Sequence, residues 1–168
     1  NDIPGRHGPG QSRGNVEWIL RHEPELENCE KRWVVNRIVD PEEEAAIIAL
    51  LERYDQPYLK ISFVQQEYLA QPLDTNGAGE AAGWLPADMA ERRTQRLYRH
   101  LNNYAINNNG ARNVALDDGR DRAAWVLPWD GNCYLTRTAW RSIQNQIRER
   151  PWFPYFIVPM ARITDRTD

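Results

Sequence analysis

The strongest constraint on the fold lies in residues 31–64. Lys31-Arg-Trp-Val-Val-Asn-Arg-Ile38 is a compact β-favouring run, and Asp40-Pro41 follows it with an acidic cap and a proline suited to the first helical turn. The helix then runs through EEEAAIIALLERY, placing Ala45, Ile48, Ala49 and Leu51 on one face. Glutamates open it and Arg53 stands near its end, in agreement with the helix dipole. Tyr58 to Val64, YLKISFV, alternates apolar and polar and reads as a second strand. Strand, helix and strand in immediate succession predict an α/β fold with a mostly parallel central sheet flanked by helices.

The rest of the chain extends that pattern. Residues 1–14, rich in glycine, read as a flexible N-terminal arm, and residues 15–168 as a single domain. Val16, Trp18, Ile19 and Leu20 form a short apolar cluster, a brief strand or helix packed on the main body. Residues 70–88 read as a long surface loop, and Asp88 as the cap of a helix reaching Asn103. Further strands are predicted at 104–107, 124–128 and 155–160, and further helices at 113–119 and 138–148.

Composition narrows the function. At 168 residues, 41% hydrophobic and 27% charged, the chain is of ordinary soluble, single-domain type. A net charge of −3 argues against a general nucleic-acid binder. Cys29 and Cys133 lack metal-type spacing, so a reduced, cytoplasmic setting is the simpler reading, with a disulfide left open. No apolar run approaches the ~20 residues of a membrane helix. The first residue is Asn rather than Met, which fits a piece of a larger polypeptide. Serine-hydrolase, P-loop, zincin and dinucleotide motifs are all missing.

In parallel sheets ligands sit at the carboxyl ends of strands. Asn36, Arg37 and Asp40, the run Asn107 to Asn109, and Asp130-Gly131-Asn132 all follow predicted strands and fall along that edge. Asp130 and Asn132 offer a carboxylate and an amide oxygen to a divalent cation, Mn or Mg, which on a nucleotide diphosphate needs only one or two protein oxygens. Gly110-Ala111-Arg112-Asn113 reads as a loop entering a helix, where a helix N-terminus and an arginine suit phosphate or a polar sugar. The bland readings stand beside these: Asp40 as an N-cap, Asn109 or Asn113 as a cap, and Asp130-Gly131 as an ordinary turn. Trp84 and Trp129 are the best-placed tryptophans for stacking a base or sugar.

These segments resemble the nucleotide-binding half of family-2-type glycosyltransferases with the GT-A fold, a Rossmann-like sandwich. The matching stretches are Trp33 to Asp40, Gly110 to Asn113 and Trp125 to Asn132, within a resemblance spanning roughly residues 31–160. The resemblance implies a UDP- or GDP-linked sugar donor, an unknown acceptor and a divalent metal at Asp130. Asn132 stands where the family usually has a second aspartate. Arg112 and Asn113, with Asn109 and Gly110, would line the donor pocket, and Asn36, Arg37 and Asp40 would edge the nucleotide. The chain departs from the family in carrying Gln65-Gln66-Glu67 after the second strand rather than an acidic pair. The catalytic base is unassigned, Asp165 being a weak stand-in. The alternatives are a non-catalytic nucleotide- or glycan-binding module on the same scaffold, and a nucleotidyltransferase using the same metal logic.

Overall fold

A computed structural model describes residues 8–75 and 87–161. Most of the expected 70–88 loop, residues 1–7 of the expected arm, Trp84 and Asp165 lie outside the described residues. The chain divides into two compact units, one drawn from residues 1–21 and 31–133, the other from residues 22–30 and 134–168.

The first unit is mixed α/β. Its sheet has two parallel strands, β1 (Trp33–Asn36) and β2 (Tyr58–Ile61), in the register Trp33 to Tyr58 and Asn36 to Ile61. The ladder is extended at both ends by Trp33 N–H to the Pro57 carbonyl, 2.9 Å, and Arg37 N–H to the Ile61 carbonyl, 2.8 Å. Helix α2 (Pro41–Arg53) connects the strands. It starts as expected: Asp40 has extended backbone, and its Oδ1 accepts from the Glu42 and Glu43 amides at 2.9 and 3.4 Å. That cap satisfies amides that have no partner within the helix.

The core explains why this segment folds as it does. Val35 and Ile38 from the strand region meet Ile47, Leu50 and Leu51 of α2, and Val16 of helix α1 (Gln11–His22) closes the cluster. Leu51 is fully buried. The buried stripe of α2 is therefore Ile47, Leu50 and Leu51; of the expected face, Leu51 is buried and Ile48 packs partly buried against the cluster, while Ile47 and Leu50 take the places expected for Ala45 and Ala49. The larger side chains win the buried face because each removes more apolar area from water. Residues 11–14, read as part of the arm, form the first turn of α1, which brings Val16 and Ile19 to the core.

Four further helices lie among the described residues of the unit: α3 (Gln65–Leu69), α4 (Ala87–Leu97), α5 (Arg99–Ile106) and α6 (Asn108–Arg120). The expected strand at 104–107 is instead the end of α5, halted by Asn107 in the left-handed conformation (φ 43°). The expected helix at 113–119 begins earlier, at Asn108. The expected strand at 124–128 has no ladder partner among the described residues. Val126 instead packs on Gly119 of α6, where an added Cβ would meet Val126 Cγ2 at 2.6 Å. Pro128 removes one of the donors a ladder would need.

The second unit holds α7 (Arg137–Glu149), opened by Thr136 Oγ1 accepting from the Ala139 amide at 3.1 Å. Glu27 of the 22–30 segment lies along α7, its carbonyl accepting from Trp140 Nε1 and Gln144 Nε2 at 2.8 and 2.9 Å. Residues 155–160, expected as a fifth strand, likewise join no ladder among the described residues. Pro154 precedes them and Pro159 lies within them, and both disfavour pairing.

Candidate functional site

At the carboxyl end of β1 the chain turns sharply. Arg37 takes a left-handed conformation (φ 41°), uncommon for a residue with a long side chain. Its position is held by Tyr104 of α5. Arg37 Nη1 donates to the Tyr104 carbonyl at 2.8 Å, and the guanidinium lies 3.7 Å from the centre of the Tyr104 ring. The Tyr104 hydroxyl in turn donates to Glu67 Oε2 of α3 at 2.7 Å and accepts from the Val64 amide at 3.3 Å. Phe63 and Tyr68 complete an aromatic cluster around that ring, with centroids 5.9 and 6.2 Å away. Burial and the Glu67 hydrogen bond push the Tyr104 hydroxyl above its usual pKa, so it remains a neutral donor. One buried tyrosine thus fixes the ends of both strands.

Asn36 fixes the neighbouring helix junction. Its Nδ2 donates to the Ile106 carbonyl at 2.8 Å and its Oδ1 accepts from Asn107 Nδ2 at 3.0 Å. Asn107 is at once the C-cap of α5 and the N-cap of α6, so the start of α6 is tied to the end of β1. Gly110 has a specific task here. A Cβ at that position would come within 2.2 Å of Asn107 Oδ1, in the space the Asn36 hydrogen bond requires. The expectation of a loop at 110–113 is corrected accordingly: Gly110, Ala111, Arg112 and Asn113 lie within α6, and Gly110 makes room for an asparagine of the same chain.

Helical geometry then puts Asn109, Arg112 and Asn113 on one exposed face of α6. Arg112 lies five residues beyond Asn107, about 7.5 Å along the axis at 1.5 Å per residue. Arg112 Nη2 meets Asp130 Oδ1 at 3.0 Å, joining two residues selected from sequence alone. Both side chains are about half exposed, at 48% and 58%. Such pairs add little to stability, about 0–1 kcal/mol, so folding alone does not account for this one.

The turn after Asp130 is closed by the Cys133 amide donating to the Asp130 carbonyl at 2.9 Å, with Gly131 open on its Cβ side. The Cys133 thiol lies 3.5 Å from Asn132 Oδ1. Burial and the nearby Asp130 carboxylate raise its pKa, which keeps it a thiol at neutral pH and a poor nucleophile. Trp129 Nε1 is a buried donor with no acceptor among the described residues, beside the site carboxylate. Asp40 spends Oδ1 on its helix cap.

The structure therefore brings together Arg112 and Asp130, Asn36 and the α5–α6 junction, and Arg37 and Tyr104. Among the described residues no group of three or more His, Cys, Asp or Glu is arranged to hold a metal ion. Sequence reading missed Tyr104 and Glu67, which meet Arg37 only through the fold. A lone aromatic inside an apparent strand carries no signal of that role. No family model matches the chain, and neither the curated proteins nor the solved structures contain a match to it.

Proposed function

We propose that the polar face running from the end of β1 across α6 to the 130–132 turn binds the sugar-diphosphate end of a nucleotide sugar, as the donor half of a glycosyltransferase-like domain. The observation that supports this reading is the exposed Arg112–Asp130 pair at 3.0 Å. It stands on the same helix that Asn107 ties to Asn36 at the carboxyl end of a parallel strand. Arg112 presents a planar fork of donors suited to phosphate oxygens. Asn109 and Asn113 beside it offer amides for sugar hydroxyls, and Asp130 orients the guanidinium. Transfer to an acceptor hydroxyl is the activity proposed for the whole, with a GT-A-type scaffold as the finer reading of the mixed α/β architecture.

The donor set suits only a cation that arrives with the nucleotide. Asp130 Oδ2 and Asn132 Oδ1 would hold such a Mg or Mn ion, which would neutralise charge on the leaving diphosphate. Arg112 already neutralises Asp130, which lowers the attraction of the site for a cation. This pair favours a second reading: a non-catalytic module that binds the same ligand without metal.

Calorimetry with UDP, GDP and their sugar conjugates, with manganese or with chelator, distinguishes the readings. Binding is expected to fall about tenfold or more in Arg112→Ala, the loss of one charge-assisted contact pair to phosphate. Binding that requires manganese and is lost in Asp130→Ala supports the transferase. Binding that survives chelator, without sugar transfer or hydrolysis, supports the module. Nucleotide binding unchanged in Arg112→Ala removes the proposal.

A further inference from the structure

In the second unit, the chain beyond α7 runs as Arg150-Pro-Trp-Phe-Pro-Tyr-Phe-Ile-Val-Pro-Met-Ala161. Its apolar side chains are not folded away. Trp152 is 72% exposed, Tyr155 71%, Ile157 85% and Met160 66%. Local contacts hold the aromatic part of the run: Phe153 N–H bonds the Arg150 carbonyl at 3.1 Å, and the Phe153 ring stands 6.2 Å from Trp152 and 5.9 Å from Phe156. Contiguous exposed apolar surface of this kind marks a site of association.

The charge beside it points to the partner. Arg137, Arg141 and Arg148 recur at helical spacing along one stripe of α7, and Arg150 follows at its end, all exposed. None of the four forms an ion pair among the described residues. Between residues 137 and 161 Glu149 is the sole acidic residue, in a chain whose net charge is −3. The acidic stretch of this unit, Glu23 to Glu30, is bonded at Leu135, Trp140 and Gln144. Basic charge is therefore concentrated where the apolar surface is.

We propose that this surface docks on an anionic lipid bilayer, with Trp152, Tyr155, Ile157 and Met160 entering the interface and Arg148 and Arg150 meeting the headgroups. Indole and phenol rings favour the headgroup level, where one end is apolar and the other wet. Ile157 and Met160, the aliphatic members, gain from acyl chains and offer nothing to the ring stacking by which glycans or single-stranded nucleic acids would bind. Prolines 151, 154 and 159 remove three backbone donors that would otherwise be desolvated, and they disfavour strand pairing with a second copy. The inference does not depend on the nucleotide-sugar reading, which concerns the other unit.

The test is co-sedimentation of the full 168-residue chain with vesicles of phosphatidylcholine alone and of phosphatidylcholine with phosphatidylserine. Binding to the serine-containing vesicles is expected, weakening as salt rises. The double variant Trp152→Ala, Ile157→Ala should lose about tenfold or more of that binding. The pair Arg148→Gln, Arg150→Gln should abolish the preference for anionic lipid. Circular dichroism checks that each variant is folded, and the salt and lipid dependence of the unaltered chain decides the matter if one is not. Binding to neither vesicle, or equally to both, overturns the proposal. So does self-association in sedimentation equilibrium that Ile157→Ala removes, which would identify a second copy as the occupant.

Discussion

Residues 31–38 and residues 155–160 are both short, apolar and β-favouring, yet their structures differ. The first forms β1, hydrogen-bonded to β2 and buried through Val35 and Ile38 under α1 and α2. The second forms no ladder among the described residues, and Ile157 is 85% exposed. Residues 124–128 fall between the two: outside any strand ladder among the described residues, but with Val126 set against Gly119. Apolar character by itself does not make a strand. A strand needs a neighbour to satisfy its amides and carbonyls, and β1 has one because α2 returns the chain alongside it within a short span.

The comparison is tested most severely by truncating one aliphatic side chain in each region. Leu51→Ala, beneath β1, should cost about 2–5 kcal/mol in urea denaturation, while Ile157→Ala should stay within about 0.5 kcal/mol. Equal losses would mean that residues 155–160 are packed as tightly as the core. A smaller effect is expected at the end of β1. Asn36→Ala leaves the Ile106 carbonyl and the Asn107 amide without their partner and should cost about 1–3 kcal/mol.

The smallest effect is a pH dependence. Tyr104 has a raised pKa in the folded chain, so above pH ~10 the unfolded state releases a proton that the folded state retains. Stability contributed by Tyr104 is fully present below that pH and declines as pH rises through the folded value. Denaturation midpoints measured from neutral to strongly alkaline pH should fall less steeply in Tyr104→Phe than in the unaltered chain. An identical slope would separate Tyr104 from the alkaline transition.

What could be read in advance follows from range. Asp40-Pro41 announced α2 because capping is decided within three residues, and the Thr136 cap makes the start of α7 equally local. The parallel pair was legible because a helix between two strands leaves little alternative. The three additional strands were not, since pairing depends on what lies beside a segment in space. At the candidate site, Arg112 and Asp130 were selected separately for their chemistry, and the fold joins them. The Arg37–Tyr104–Glu67 chain was illegible because its members come from the turn after β1, from α5 and from α3, and nothing near any of them in sequence announces the others. Gly110 was expected to line a donor pocket from a loop, whereas it lies in α6 and the space beside it is taken by Asn107.

The paired amides of Asn36 and Asn107 carry a consequence for the ageing of the molecule. Each uses its nitrogen to give and Asn36 also uses its oxygen to receive. Hydrolysis of the Asn36 amide to a carboxylate would preserve the outline of the side chain while replacing its donor with a second acceptor. The Ile106 carbonyl would then face negative charge instead of an N–H group. A single spontaneous deamidation, invisible to shape, would loosen the joint between α5 and α6, and the helix carrying Arg112 would be the first to register it.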